Sequence, residues 1–217
     1  MSSLACPPWV SETDEKLQSV ARGLNDYYQF IQRKAKTYKL NASDIEMWHG
    51  KIFSSAVPLA YYAGNFRCHD EKHPCLGQHV GILDASSGQW RMGVAFKDVE
   101  KSMSEFSAEM VRMTEQTDAF VVATRSLGER VKAAVQLAAF CEGRILQIHP
   151  FINGNGRMSR ITADYFLYRY GLPWAYYPPT VRPGLDYERV SDHCMFGDFV
   201  PLMEYLLRVT IDRILQP

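Results

Sequence analysis

Twelve consecutive residues carry most of the chemistry in this chain: His149, Pro150, Phe151, Ile152, Asn153, Gly154, Asn155, Gly156, Arg157, Met158, Ser159 and Arg160. An imidazole, a glycine-rich turn and two arginines fall within one short stretch. Glycine takes positive φ without steric cost, and asparagine tolerates it better than most residues. Gly154, Asn155 and Gly156 can therefore turn successive N–H groups inward as an anion nest. The residues that follow, Arg157 to Tyr170, have a helical pattern, with Ile161, Tyr165, Phe166 and Tyr168 on an apolar side. A helix N-terminus adds free N–H donors and partial positive charge, both suited to phosphate. Arg157 and Arg160 are three apart and share one helix face, where guanidinium groups can grip phosphate oxygens bidentately. His149, just before the nest, is placed to take a proton from an attacking hydroxyl. Singly, these are a turn, a helix-end histidine and a solvated basic face; together at this spacing they point to a phosphate-handling active site.

The elements that must position these residues are mostly helical. Leu17, Val20, Leu24, Tyr27, Tyr28 and Ile31 recur at helical spacing within about Thr13 to Tyr38. Asn41 and Ser43 are candidate caps for a helix running through Met47 to Phe53. Gly81 to Leu83 and Trp90 to Val94 are strand candidates, with a turn at Asp84 to Gly88 between them. Helices are expected at about Phe96 to Gln116 and Gly128 to Gln147. The second buries Val131, Ala134, Val135, Ala138, Cys141 and Ile145 and delivers the chain to His149, where Pro150 stops it. Gly171 and Pro173 end the motif helix. Tyr176 to Pro183 reads as loop, and a last helix covers about Asp198 to Ile214. The fold class is all-α with one inserted β-hairpin.

Composition narrows the function classes. The 217 residues suit one domain with a small accessory element, and 47% apolar content is enough for a real core. With 24 basic and 24 acidic residues the formal net charge is zero, which argues against a nucleic-acid partner. No apolar stretch is long enough to span a bilayer, and the start lacks the basic and apolar regions of a leader, so no membrane partner and a cytoplasmic location are expected. The five cysteines, Cys6, Cys68, Cys75, Cys141 and Cys194, form no regular framework, and a reducing cytosol is the default. Cys68, His69, His73, Cys75 and His79 contain zinc-ligand types, but their spacing matches no common pattern, so the cluster reads as a His-rich exposed segment.

The twelve residues resemble the signature of the Fic family, His-Pro-Phe-x-acid-Gly-Asn-Gly-Arg-x-x-Arg, departing from it at Asn153. Trp48, His49, Gly50, Lys51, Ile52 and Phe53, then Gly64, Asn65, Phe66 and Arg67, resemble the family's first core helix and its lead into a hairpin. Gly171 to Pro173, Gly197 to Leu202, and Tyr205 and Leu206 resemble its closing region. The resemblance covers roughly residues 45–212, which divides the chain into an N-terminal helical extension (1–44) and a Fic domain (45–217). It implies a Fic-type helical bundle whose hairpin, the flap, docks a target segment by strand addition. It also implies an enzyme, a protein adenylyltransferase that moves AMP from ATP, with Mg²⁺, to a hydroxyl of a target protein. His149 is then the general base and Phe151 the apolar anchor of the loop. Gly154, Asn155 and Gly156 form the nest for ATP, and Arg157 and Arg160 clamp its phosphates. Asn153 stands where the family's metal-holding acid belongs. An uncharged amide oxygen is a weaker Mg²⁺ ligand than a carboxylate. Two readings follow: a functional variant, or a nucleotide-binding interaction module with weakened or altered transfer. Many members are silenced by a helix with Ser or Thr, three residues, Glu, then Gly or Asn. Here the only Glu followed by Gly or Asn is Glu142, with Ala138 four residues earlier, so any restraint would come from a separate antitoxin-like protein. Tyr165, Phe166, Tyr168 and Tyr170 read mainly as core, and Tyr176 and Tyr177 as rim residues of a nucleotide pocket.

Overall fold

The computed structural model describes residues 6–9, 14–83, 88–178 and 183–215. Seven α-helices and one two-stranded sheet form among them: α1 (Asp14–Lys34), α2 (Ala42–Phe53), β1 (Gly81–Leu83), β2 (Trp90–Met92), α3 (Val99–Ala123), α4 (Leu127–Ile148), α5 (Asn155–Arg169), α6 (Leu185–Cys194) and α7 (Val200–Leu215). The expected start of α1 at Thr13 and most of the turn at Asp84 to Gly88 lie outside the described residues.

The antiparallel pair α4 and α5 forms the centre. The inward positions anticipated on α4, Val131 to Ile145, are all buried. In α5 burial extends almost around the helix, from Met158 to Leu167, as for a central helix walled on several sides. Helices α3, α6 and α7 pack on α4, while α1 and α2 pack on α5. Tyr165 and Phe166 belong to this core and Tyr168 and Tyr170 are partly buried, in keeping with the core reading. Helix α1 joins the same core: Tyr28 donates to the buried carboxylate of Asp164, which also accepts from the N–H of Ala175 at 2.6 Å. Of the two candidate caps for α2, Asn41 is the one used. Its side chain accepts from Asp44 N–H at 3.2 Å, and Asp44 accepts from Asn41 N–H at 2.9 Å.

The flap pairs Gly81 with Met92, Ile82 with Arg91 and Leu83 with Trp90. Residues 185–194, for which the sequence pattern predicts no element, form α6. Among their side chains only Tyr187 and Cys194 are buried, too few for an apolar period to be visible. Cys6 and Cys75 form a disulfide, with Cα atoms 5.5 Å apart, where the expectation of a reducing cytosol has thiols. Cysteine spacing did not show this pair because tertiary packing, not sequence distance, brings residues 69 apart together. That bond removes Cys75 from the Cys/His cluster; no group of three metal-ligating side chains occurs among the described residues, and His73 instead meets Asp70 at 2.7 Å. No helix among the described residues is long and apolar enough to cross a membrane.

Candidate active site

The motif loop is held from behind by an aromatic stack. Phe151 is fully buried and lies parallel to the His49 ring, with centroids 3.7 Å apart. His49 Nδ1 accepts from Gly64 N–H and its Nε2–H donates to the Asn153 carbonyl, each at 3.0 Å, so both ring nitrogens are used. Burial pushes its pKa down to about 3, which keeps the ring neutral. Phe151 thus anchors the loop and does not line the cavity. The Asn155 side chain is likewise turned inward: its Oδ1 accepts from Phe151 N–H and its Nδ2 donates to Phe151 O, both at 2.9 Å.

Of the anticipated nest residues, only Gly154 has positive φ, at 80°. Asn155 and Gly156 already belong to the first turn of α5. A Cβ at Gly154 would meet the Phe53 ring at 2.8 Å, so both backbone angle and space require glycine. The anticipated nest is therefore a helix N-terminus entered through one left-handed residue, where the first N–H groups lack carbonyl partners within the helix, a geometry suited to an anion.

His149 caps α4 in the left-handed region, at φ 53° and ψ 58°. Its Nδ1 lies 2.7 Å from Leu146 O. A carbonyl only accepts, so the proton sits on Nδ1 and Nε2 keeps a lone pair. Burial is the main cause that lowers its pKa, so the imidazole is neutral at pH 7.

A cavity of about 1210 Å³ opens in front of these groups. His149, Asn153, Gly154, Asn155, Gly156, Arg157 and Arg160 all line it. The flap contributes Gly81, Ile82 and Arg91, and α6 contributes Tyr187 and its neighbours. The Arg157 guanidinium lies 5.4 Å from the Phe53 ring centre and that of Arg160 5.6 Å from Tyr187. Tyr187 donates to the buried Glu142 carboxylate at 2.7 Å, and Tyr176 donates to its other oxygen at 2.9 Å. Burial raises the pKa of Glu142 to about 7. Tyr176 and Tyr177 do not line the cavity, which corrects their reading as rim residues. Tyr176 is buried against Glu142, and Tyr177 packs on Tyr28 and Trp174. The aromatic wall instead comes from Tyr187, hidden from sequence reasoning because α6 was.

Asn153 is exposed but committed. Its Oδ1 accepts from Gly154 N–H at 2.6 Å and its Nδ2 donates to Trp9 O at 3.0 Å. The amide both donates and accepts here, which an ionised carboxylate cannot. The departure from the family acid thus coincides with a bond to the segment that Cys6 fastens to Cys75. The loop offers Mg²⁺ no carboxylate, and the amide oxygen is turned into the loop, so these donors do not fit a metal held by the protein.

The model of the Fic/DOC family matches residues 39–167. A protein adenylyltransferase Fic of Nematostella vectensis is 28% identical over 192 residues, covering 87% of this chain and 37% of the relative. A uridine 5'-monophosphate transferase of Xanthomonas campestris is 32% identical over 114 residues, covering 51% of this chain and 19% of that protein. The chain therefore spans well under half the length of either. Fic-1 of C. elegans (the E274G form) superposes with a TM-score of 0.60 at 18% identity, covering 98% of this chain and 53% of that one. BepC of Bartonella tribocorum, solved with bound AMPPNP, gives 0.53 at 14%, covering 91% and 87%. These last two similarities bear on the fold alone. Motif, helical fold with a hairpin, and family match agree: the chain belongs to the Fic/DOC family.

Proposed function

We propose that this chain transfers AMP from ATP to a hydroxyl of a target protein. The observation that carries this reading is the tautomer of His149: Nδ1–H is committed to Leu146 O, which leaves the Nε2 lone pair as a base in a cavity shared with Arg157, Arg160 and the α5 N-terminus. The target hydroxyl oxygen attacks the α-phosphorus, its proton passes to His149 Nε2, and the bond to the bridging oxygen breaks to release pyrophosphate. The arginines and the helix N-terminus offset the charge on the phosphates. No step is assigned to Mg²⁺, because the loop supplies it no fitting donor. The adenylyltransferase name of one relative supports AMP; the uridine 5'-monophosphate transferase name of another makes UMP the second reading. Residues 1–217 carry no inhibitory Ser/Thr-to-Glu helix, so the proposed readings are a constitutively competent chain or one restrained by a separate antitoxin-like protein.

Purified protein would be incubated with host lysate and ATP labelled at the α- or γ-phosphate, or with α-labelled UTP, beside His149→Ala. Protein label from α-ATP alone, lost in the variant, is the expected result. Label from UTP alone would replace AMP by UMP. No label from any donor would leave a nucleotide-binding interaction module.

A further inference from the structure

Arg67 is fully buried, and its side chain faces main-chain carbonyls. Its Nε–H donates to His149 O at 2.7 Å; its other nitrogens donate to Ile148 O at 3.1 Å, Val94 O at 2.8 Å and Gln78 O at 3.1 Å. Its backbone N–H donates to Pro150 O at 2.8 Å. Three of these five acceptors are consecutive, Ile148 to Pro150, where α4 ends and the motif begins. The other two lie just before β1 and just after β2. One planar cation thus joins both ends of the flap to the residues that carry the base.

The physical reasons are specific. The last carbonyls of a helix have no partner within it and attract cations. His149 is the one non-glycine residue with positive φ among the described residues, a conformation that costs energy and persists only where the surroundings impose it. Arg67 grips the carbonyl of that residue. Burial lowers the Arg67 pKa to about 10, so the group stays cationic at neutral pH. The residues just after β2 also pack on the end of α4: Val94 N–H donates to Ile148 O at 3.2 Å, and a Cβ at Gly93 would stand 2.5 Å from His149 Cβ.

We propose that Arg67 is a positioning residue that holds the His149 imidazole at the cavity and ties its placement to the base of the flap. This rests on His149 being the general base. A guanidinium is needed because only its planar fork reaches four acceptors; the Lys ammonium is a single point with three donors.

The test uses the full chain with ¹³C-labelled histidine, the His149 ring signal being assigned by its loss in His149→Ala. In Arg67→Lys the rate of protein labelling from α-labelled ATP in lysate is expected to fall about 100-fold, as for a small misplacement of a reacting group. ATP affinity by equilibrium dialysis stays within about twofold, since the phosphate-facing groups are intact. The His149 signal shifts while that of His49 stays, and guanidinium, but not urea, restores labelling in Arg67→Ala. An unmoved His149 signal, or an ATP affinity that weakens in parallel with the rate, overturns the proposal. If the unaltered protein labels nothing, the transfer reading fails, and the His149 signal alone judges Arg67. Should neither Arg67 variant fold, Gly93→Ala presses on His149 from the flap side. The same split between rate and affinity is then expected, and an unmoved His149 signal again overturns the coupling.

Discussion

Two hairpins meet at the cavity, and they are built on opposite terms. The helical one, α4–loop–α5, is heavily buried, and the polar groups of its loop are bonded within the loop and to His49, Arg67 and Trp9. The flap has three residue pairs and little cover: Trp90 is 66% exposed and Met92 48%. A two-stranded hairpin of this size has marginal stability by itself. On the proposed reading the difference separates two tasks. The groups proposed to hold phosphate and to carry the base sit on the packed hairpin. The segment proposed to accept a target strand stays open, and Arg67 and Gly93 stand at its base.

This contrast can be attacked in order of expected effect. His149→Ala should reduce protein labelling by roughly 10³-fold, within the usual range for losing a general base, with ATP affinity retained. Similar residual labelling in the variant would remove His149 from the chemistry. Phe151→Ala should cost about 3–5 kcal/mol, the range for a fully buried aromatic. Trp90→Ala should fall within about 0.5 kcal/mol of the unaltered protein, as an exposed change does. Equal urea midpoints for the two would break the contrast between the hairpins. Cys6→Ser should cost about 2–4 kcal/mol, because the disulfide closes a long loop in the unfolded chain. The thermal midpoint of reduced and oxidised protein checks this.

pH gives a smaller effect with a definite sign. The His149 pKa is lowered by burial, so the base stays deprotonated below the ordinary histidine value. Labelling should hold level as pH falls through about 6.5, the free histidine value, and decline only at lower pH. Stability follows the same sign. His49, at about 3, and His149 have folded values below their unfolded ones. Their contribution is complete above the unfolded value and is lost as pH falls through the folded values, which acid titration of unfolding would show. A modest effect is expected for Asn153→Asp. It removes the donor to Trp9 O and should cost about 1 kcal/mol, typical of one hydrogen bond, read as a shift in urea midpoint.

Much of the site could be read from local pattern. The motif spacing placed an imidazole, a turn and two arginines together, and all of them line one cavity except the anchor Phe151. The α4 periodicity and the Asn41 cap are local signals, and the structure uses both. Other features left no local trace. Helix α6 buries too few side chains for a period, yet it supplies Tyr187 to the cavity wall. His49 appeared only as part of a family resemblance, and its bonds to Gly64 and Asn153 join residues far apart in the chain.

By itself, the sequence determined the groups available: an imidazole, a helix start and two arginines within twelve residues, on a helical frame with one hairpin. Residue type and spacing suffice there because the groups are neighbours on one turn and one helix face. Tertiary structure decided which atoms of those groups are free. Leu146 fixes the His149 proton, the Phe151 backbone engages both the oxygen and the nitrogen of the Asn155 amide, and Trp9 engages Asn153. It also brought Arg67 and Cys75 to partners that spacing could not name. Hydrogen-bond commitment depends on where distant backbone carbonyls arrive, and packing of the whole core determines that.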